Sequence, residues 1–431
     1  MSTLKASALP VKKTAQPASP KQKLGLMIAA GLGYLFATLF SVVIASIAFF
    51  LSARWFNNLR WLVVIAAVTL GLTAWAGAWG LASWQKANNP AQVAWVFAVS
   101  VVALTTYLAW MYIFRPTSLT PDLPQAGPDT QYWTLSTGSR LAYTHLPANG
   151  ASREFPIVYL HGGPGIPMRA ASLNYYRQLT EDGFDVYLYD QVGVGLSDRT
   201  ESIAEYTLER NVADLEAIRQ EVGAEKIILI GTSWGGVLAA HYMAAYPDHV
   251  ARAVLISPGV LGDRSEVKYD YKATASSESN SVILPSLRFI VAGALARVQP
   301  KVAEQFASQA EVGVIYDTFT TSPDVDYQTN CKGYQPPASA TTRSGGSNYY
   351  ANLLTLDSLK AAPDPRPVLK SNLTPVLILR GECDYIPLDA TMRYKETLPN
   401  AVFVSIPGAG HSVTSGQPEL SLATIRKFLG E

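Results

Sequence analysis

Three stretches near the start of the chain carry no charged residue at all: 24–53, 61–85 and 87–114. Each is longer than the ~20 apolar residues that cross ~30 Å of hydrocarbon at ~1.5 Å per residue. A helix of that length in a water-soluble core would show a polar face, and none of these does. The pattern predicts three transmembrane helices within residues 24–115. Trp55, Trp61, Trp84, Trp110 and Tyr112 fall near the span ends, where amphipathic rings favour the membrane interface. Gly71, Ala74, Gly77, Ala78 and Gly80 give the second span small residues for close helix packing. Residues 1–23, rich in Lys, Pro, Ala and Ser, read as a disordered basic tail. Residues 116–130, with Pro116, Pro121, Pro124 and Pro128, read as a stiff extended linker.

From Tyr132 the period changes. Tyr132–Leu135 and Leu141–Leu146 form a predicted hairpin around Gly138. Short apolar runs follow at Pro156–Leu160, Phe184–Tyr189, Lys226–Ile230 and Val250–Ile256, then after a long interruption at Val376–Leu379 and Ala401–Ile406. Between Glu205 and Val222 the apolar residues Leu208, Val212, Leu215, Ile218 and Val222 keep a helical spacing, and a final helix is predicted near Glu419–Leu429. Such alternation predicts an α/β fold with a mostly parallel eight-stranded sheet and helices on both faces. The core comprises residues 131–261 and 374–431. Residues 262–373 break the rhythm with helical pieces at Ser286–Val298 and Lys301–Ala310 and a polar patch at Arg343–Tyr350, and read as an inserted, mainly helical lid.

Charge adds a direction. Nine basic residues and no acidic one precede Asp122, whereas 25 basic and 33 acidic residues make up the remainder. Five lysines ahead of the first span and Lys86 in the second loop oppose Arg54, Arg60 and Arg115. The excess places the N-terminus in the cytoplasm, so three crossings carry the C-terminal domain to the outer side of a plasma or inner membrane. A mildly acidic domain without a basic aromatic patch argues against nucleic acid as a partner. Cys331 and Cys383 fit no zinc spacing, and their pattern leaves open two free thiols or one disulfide.

The candidate chemistry lies at the C-terminal ends of the predicted strands, where ligands bind in such sheets. Gly231-Thr232-Ser233-Trp234-Gly235 sits between the strand Ile227–Ile230 and the helix start Val237–Ala240. That is the strand–turn–helix elbow that projects a nucleophilic serine. A serine hydroxyl needs a base, and the base an orienting carboxylate. His411, in Pro407-Gly-Ala-Gly-His411, follows the last strand, and Asp384, in Arg380-Gly-Glu-Cys-Asp384, follows the one before it. His145, His161, His241 and His249 lie where structural roles are expected, and Asp190 is the rival acid. An oxyanion hole is expected from the N–H groups of Trp234 and of Gly163 in His161-Gly162-Gly163-Pro164-Gly165. No metal or organic cofactor is called for.

These motifs, with Asp190-Gln-Val-Gly-Val-Gly-Leu-Ser197, resemble the prolyl aminopeptidase (proline iminopeptidase) branch of the α/β-hydrolases over Tyr132–Glu431. The resemblance implies release of N-terminal residues from small peptides, with lid glutamates holding the free amine. Glu266, Glu278, Glu304 and Glu311 are the lid's candidates for substrate binding, together with His161 and Gly162. The chain departs from the family at Val192, where an arginine is usual. Two alternatives stand beside the peptidase: a carboxylesterase or lipase-like hydrolase of small or lipid-like esters, and a catalytically inactive binding domain. Epoxide hydrolases and dehalogenases are disfavoured, since they need a carboxylate where Ser233 stands. The expected partners are a small-molecule or short-peptide substrate and the lipid bilayer.

Overall fold

Side-chain caps set where the first helices begin. Ser19 accepts from Gln22 N–H, while the Gln22 side chain accepts from Ser19 N–H, a reciprocal cap that starts α1 (Pro20–Ser52). The Asn58 side chain accepts from Arg60 N–H and caps α2 (Leu59–Trp84), that of Asn89 accepts from Gln92 N–H and caps α3 (Pro90–Ala109), and Pro90 occupies the first turn, where its missing N–H costs nothing. The computed structural model describes residues 19–118, 124–265, 267–270, 285–320, 329–333 and 345–430. By internal contacts the chain divides into two units, Met1–Met111 and Tyr112–Glu431.

Three helical stretches, Pro20–Ser52, Leu59–Trp84 and Pro90–Phe114, the last continuing α3 by one further turn, are long and apolar enough to cross a membrane. Their outward surfaces are hydrocarbon, as at Met27, Phe36, Leu72 and Val96, each more than half exposed. The inward surfaces are small. Ala74, Ala78, Ala82 and Ala94 are fully buried, and a Cβ on Gly77 would lie 3.0 Å from that of Ala37. Small residues at these positions let the helix backbones approach closely, so that van der Waals contact packs them.

The second unit is built on one sheet in the order β1-β2-β4-β3-β5-β6-β7-β8. The strands are β1 (Thr130–Thr134), β2 (Arg140–Leu146), β3 (Ile157–Leu160), β4 (Val186–Tyr189), β5 (Ile227–Thr232), β6 (Val250–Ile256), β7 (Val376–Gly381) and β8 (Ala401–Ile406). Strands β3 to β8 are parallel and only β1 and β2 run against their neighbours. Every residue from Ile227 to Gly231 is buried, as a central parallel strand with both faces covered requires. One face packs Ile228, Ile230, Val254 and Leu377 against Tyr175, Tyr176 and Leu179 and against Ile425 and Phe428 of the last helix, Pro418–Gly430. Because β4 and β5 leave β3 on opposite sides, the chain reverses direction across the sheet there, and the crevice at that reversal opens beyond the ends of β3 and β5.

Three expected elements differ in detail. The disordered tail expected over residues 1–23 gives way to helix at Pro20, because the Ser19–Gln22 cap starts α1 there. The helix expected from Glu205 begins at Leu208, because Thr207 accepts from Arg210 N–H and caps it there. The single helix expected over Lys301–Ala310 is two, Pro300–Phe306 and Gln309–Thr320, because the Ser308 hydroxyl accepts from Glu311 N–H and starts a second helix. The insert between β6 and β7 also holds Leu287–Val298 and Tyr349–Ala361. Of the polar patch, Arg343 and Ser344 lie outside the described residues.

Gly77→Leu is expected to force α1 and α2 apart and cost about 1–3 kcal/mol. Equilibrium unfolding of the full chain in mixed detergent checks this, with Gly80→Leu, where a Cβ meets nothing within 4 Å, as the neutral control.

Candidate active site

Ser233 stands between β5 and the helix Trp234–Ala245 with φ 55° and ψ −115°, a conformation a side chain rarely adopts. The turn is this sharp because its neighbours have no side chains. A Cβ on Gly231 would collide with the Gly235 carbonyl, and one on Gly235 with the Leu160 carbonyl at the end of β3. Ser233 N–H donates to Ile256 O at 2.9 Å, and Gly259 N–H donates to Ser233 O at 2.9 Å, so β6 and the turn after it hold the elbow. The side chain is half-buried and reachable. Trp234 N–H belongs to the first turn of the helix, where no intrahelical acceptor exists.

The His161–Gly165 loop lies against this elbow: a Cβ on Gly162 would come within 3.3 Å of Ser233 Cβ. Gly163 has φ 126°, open only to glycine, and the Gly163–Pro164 bond is cis. His161 holds the loop from inside. Its Nε2 accepts from Gln191 N–H at 2.9 Å, so Nδ1 carries the proton and donates to Gly162 O at 2.8 Å. Burial pushes the ring's pKa down, and the nearby Asp190 charge offsets this only in part. Gln191 extends the chain of contacts: its amide donates to His161 O, and its carbonyl accepts from Trp234 Nε1 at 2.8 Å. With both ring nitrogens engaged inside the protein, His161 shapes the loop, and Gly162 lies against Ser233.

His411 and Asp384 meet across the ends of β8 and β7. Nδ1 of His411 donates to Asp384 Oδ1 at 2.8 Å, and both side chains are buried. The carboxylate also accepts from Ile386 N–H at 3.0 Å. Burial drives the Asp384 pKa up. The His411 charge and hydrogen bond, Ile386 N–H and the Ser257 hydroxyl outweigh that and leave it below the ordinary carboxylate value. Arg380, itself buried, reaches along the acid loop and donates to the carbonyls of Gly381, Glu382, Asp384 and Ile386. Asp190 is engaged elsewhere, accepting from Leu196 N–H in its own turn and from Met168 N–H after the His161–Gly165 loop.

The insert touches these loops directly. Asn348 N–H donates to Gly165 O at 2.8 Å, and Asn352 Nδ2 donates to Pro164 O at 2.7 Å. Cys331 and Cys383 are joined in a disulfide, which the sequence had left open. Of the lid glutamates, Glu311 is held by Arg288 at 2.6 Å and accepts from Thr117 N–H, and Glu304 accepts from Gln309 Nε2 at 3.3 Å. Glu266 and Glu278 lie outside the described residues. Sequence reasoning missed Gln191, Arg380, Asn348 and Asn352. An arginine placed directly before Gly-Glu-Cys-Asp was the one available signal, since a strand end buried on both sides rarely carries a cation without a structural task.

A pH dependence follows from two buried rings. Burial lowers the His161 pKa and takes His241 from 6.5 to about 4. A depressed folded-state pKa means the unfolded chain binds the proton more tightly, so this stability is complete above the unfolded value and is lost as pH falls through the folded one. The Tm of the protein is expected to fall between pH 6.5 and about 4, and His241→Gln to flatten that decline in a thermal-shift series.

A family model described as the alpha/beta hydrolase fold matches residues 156–414. Proline iminopeptidases align with part of the chain: that of Heyndrickxia coagulans is 37% identical over 122 residues, 28% of this chain and 41% of the relative. That of Saccharolobus solfataricus is 35% identical over 142 residues, 31% of this chain and 41% of the relative. The chain thus spans about 41% of the length of these curated relatives. Among solved structures, a thermophilic esterase from Thermogutta terrifontis superposes with TM-score 0.48 at 21% identity, covering 70% of this chain and 98% of that one. Proline iminopeptidase from Mycobacterium smegmatis gives TM-score 0.47 at 18% identity, over 70% and 97%. With the family model covering more than half of its length, the chain belongs to the alpha/beta hydrolase fold family.

Proposed function

We propose that this protein is a membrane-anchored serine hydrolase working through an acyl-enzyme, and that it releases N-terminal residues from small peptides. The observation that carries the mechanism is the buried His411–Asp384 hydrogen bond at 2.8 Å, on the same edge of the sheet as the Ser233 elbow. Ser233 Oγ attacks the scissile carbonyl carbon while Nε2 of His411 takes its proton. Asp384 holds Nδ1–H, fixing the tautomer and stabilising the imidazolium that forms. The developing oxyanion accepts from Trp234 N–H and Gly163 N–H. Collapse of the intermediate breaks the bond to the leaving amine, which takes the proton from His411. A water molecule, deprotonated by His411, then attacks the acyl carbon and frees Ser233.

The peptide specificity is supported by the proline iminopeptidases that share 35–37% identity over part of their length. An ester substrate is the second reading, and one observation favours it: Glu311 and Glu304 both already bind partners inside the insert, whereas an ester needs no carboxylate to hold an amine. Anchoring is supported by the three long apolar helices. An outward-facing hydrolase unit is supported by the basic bias of the N-terminal side and by the disulfide, a bond that persists in oxidising compartments.

Purified protein is expected to cleave proline and alanine arylamides. Turnover of short-chain nitrophenyl esters with no arylamide cleavage would move the function to the second reading. Ser233→Ala and Asp384→Asn are expected to lower kcat by about 10⁴-fold or more with folding retained; a Ser233→Ala enzyme of unchanged rate would remove the nucleophile. Protease added outside intact cells or spheroplasts is expected to reach the hydrolase unit while residues 1–23 stay protected, and the reverse pattern would invert the topology.

A further inference from the structure

The insert reaches the acid and base loops through one short segment. Thr329 O accepts from Ser412 N–H at 3.0 Å, and Thr329 Oγ1 accepts from Ser412 Oγ at 3.1 Å. On the other side of His411, Gly410 lies so close to Thr329 and Asn330 that a Cβ there would collide with the Thr329 carbonyl. The segment therefore braces His411 at both neighbouring positions. Two residues later Cys331 is bonded to Cys383, the residue directly before Asp384, with Cα atoms 5.3 Å apart and a sequence separation of 52. Cys383 N–H in turn donates to Ala409 O in the base loop at 2.9 Å.

The base loop needs such a brace. In Pro407-Gly408-Ala409-Gly410 one small side chain, Ala409, is buried in the core, and the two glycines beside it leave the backbone wide conformational freedom. Hydrogen bonds from a distant segment hold it only if that segment stays in place. A covalent link across 52 residues keeps the segment at high local concentration, where an unlinked one would have to be ordered anew each time it docked.

We propose that the Cys331–Cys383 disulfide is a positioning element for the reaction: through Thr329 and Asn330 it fixes the loops that carry His411 and Asp384, so that an oxidised enzyme turns over and a reduced one loses rate. This rests on the Ser233–His411–Asp384 mechanism proposed above. Both cysteines are half-buried, within reach of a small reductant.

The test uses detergent-purified full-length protein, a fluorophosphonate probe and whichever arylamide or nitrophenyl ester it cleaves. A water-soluble phosphine supplies two electrons to the disulfide, becoming the phosphine oxide and leaving two thiols. Reduction is expected to lower both kcat and the rate of Ser233 labelling about ten-fold, as loosened catalytic geometry does. KM should change less than two-fold, and reoxidation with oxidised glutathione should restore the rate. Cys331→Ala with Cys383→Ala is expected to reproduce the reduced state without reoxidation. Unchanged kcat and labelling after complete reduction would overturn the proposal. So would a raised KM or lowered Tm with kcat intact, the signature of a staple that holds only the insert. Wild-type protein that takes no label at Ser233 would remove the nucleophile reading itself, a failure separable from the others because it is present before any reduction.

Discussion

Ser233 is held at a positive φ that costs a residue with a Cβ on the order of 1–3 kcal/mol, and the surroundings of the elbow are arranged to sustain it. The strand before it must be fully buried on both faces, so that the turn is anchored at its root. Its flanking glycines must be bare, so that the helix can fold back under the end of β3. The neighbouring strand must stop at Leu160, whose carbonyl is the wall against which Gly235 fits. Once these conditions hold, the ends of β3 and β5 lie side by side, and Gly162 is brought against the serine without any further device.

From there the polar groups of the site form two separate assemblies. One runs from Trp234 through Gln191 to His161 and Gly162, tying the helix start to the loop on its open side. The other joins Arg380, Asp384 and His411 across β7 and β8. In the first, the buried polar groups named are paired, as a buried polar group needs if it is not to destabilise the fold; in the second, Arg380 Nε and Asp384 Oδ2 make no hydrogen bond among the described residues. The insert is the element that makes contact with both, through Asn348 and Asn352 on one and through Thr329 on the other.

Much of this was legible in the chain because it depends on local patterns. Uncharged runs of over twenty residues define the first three helices whatever surrounds them. The apolar runs ending in Gly-Gly, in Asp190 and in Gly-x-Ser-x-Gly mark strand ends, because only there does a parallel sheet change from apolar to chemical. What stayed hidden depends on contacts between residues far apart in sequence. Gln191 looks like an ordinary turn residue until Trp234 Nε1 and His161 are placed around it. Glu311 looks like a candidate for binding an amine until Arg288, 23 residues earlier, is seen to occupy it. The pairing of two cysteines and the break of one helix at Ser308 likewise follow from tertiary placement and from a single hydroxyl, which periodicity does not weigh.

Arg380 shows how a loop can be shaped by a charge with no opposite charge beside it. Its planar fork engages four carbonyls spread over six residues, so the guanidinium acts as a template around which the turn is moulded. A lysine offers the same charge but only a point of attachment, and could not read four directions at once. The path of the chain is thereby set from within rather than by the side chain at the surface of the turn. Sequence drift in this loop should therefore be widest at the exposed Glu382 and narrow at Arg380, at Gly381, where a Cβ would collide with the Gly410 carbonyl, and at Cys383 and Asp384.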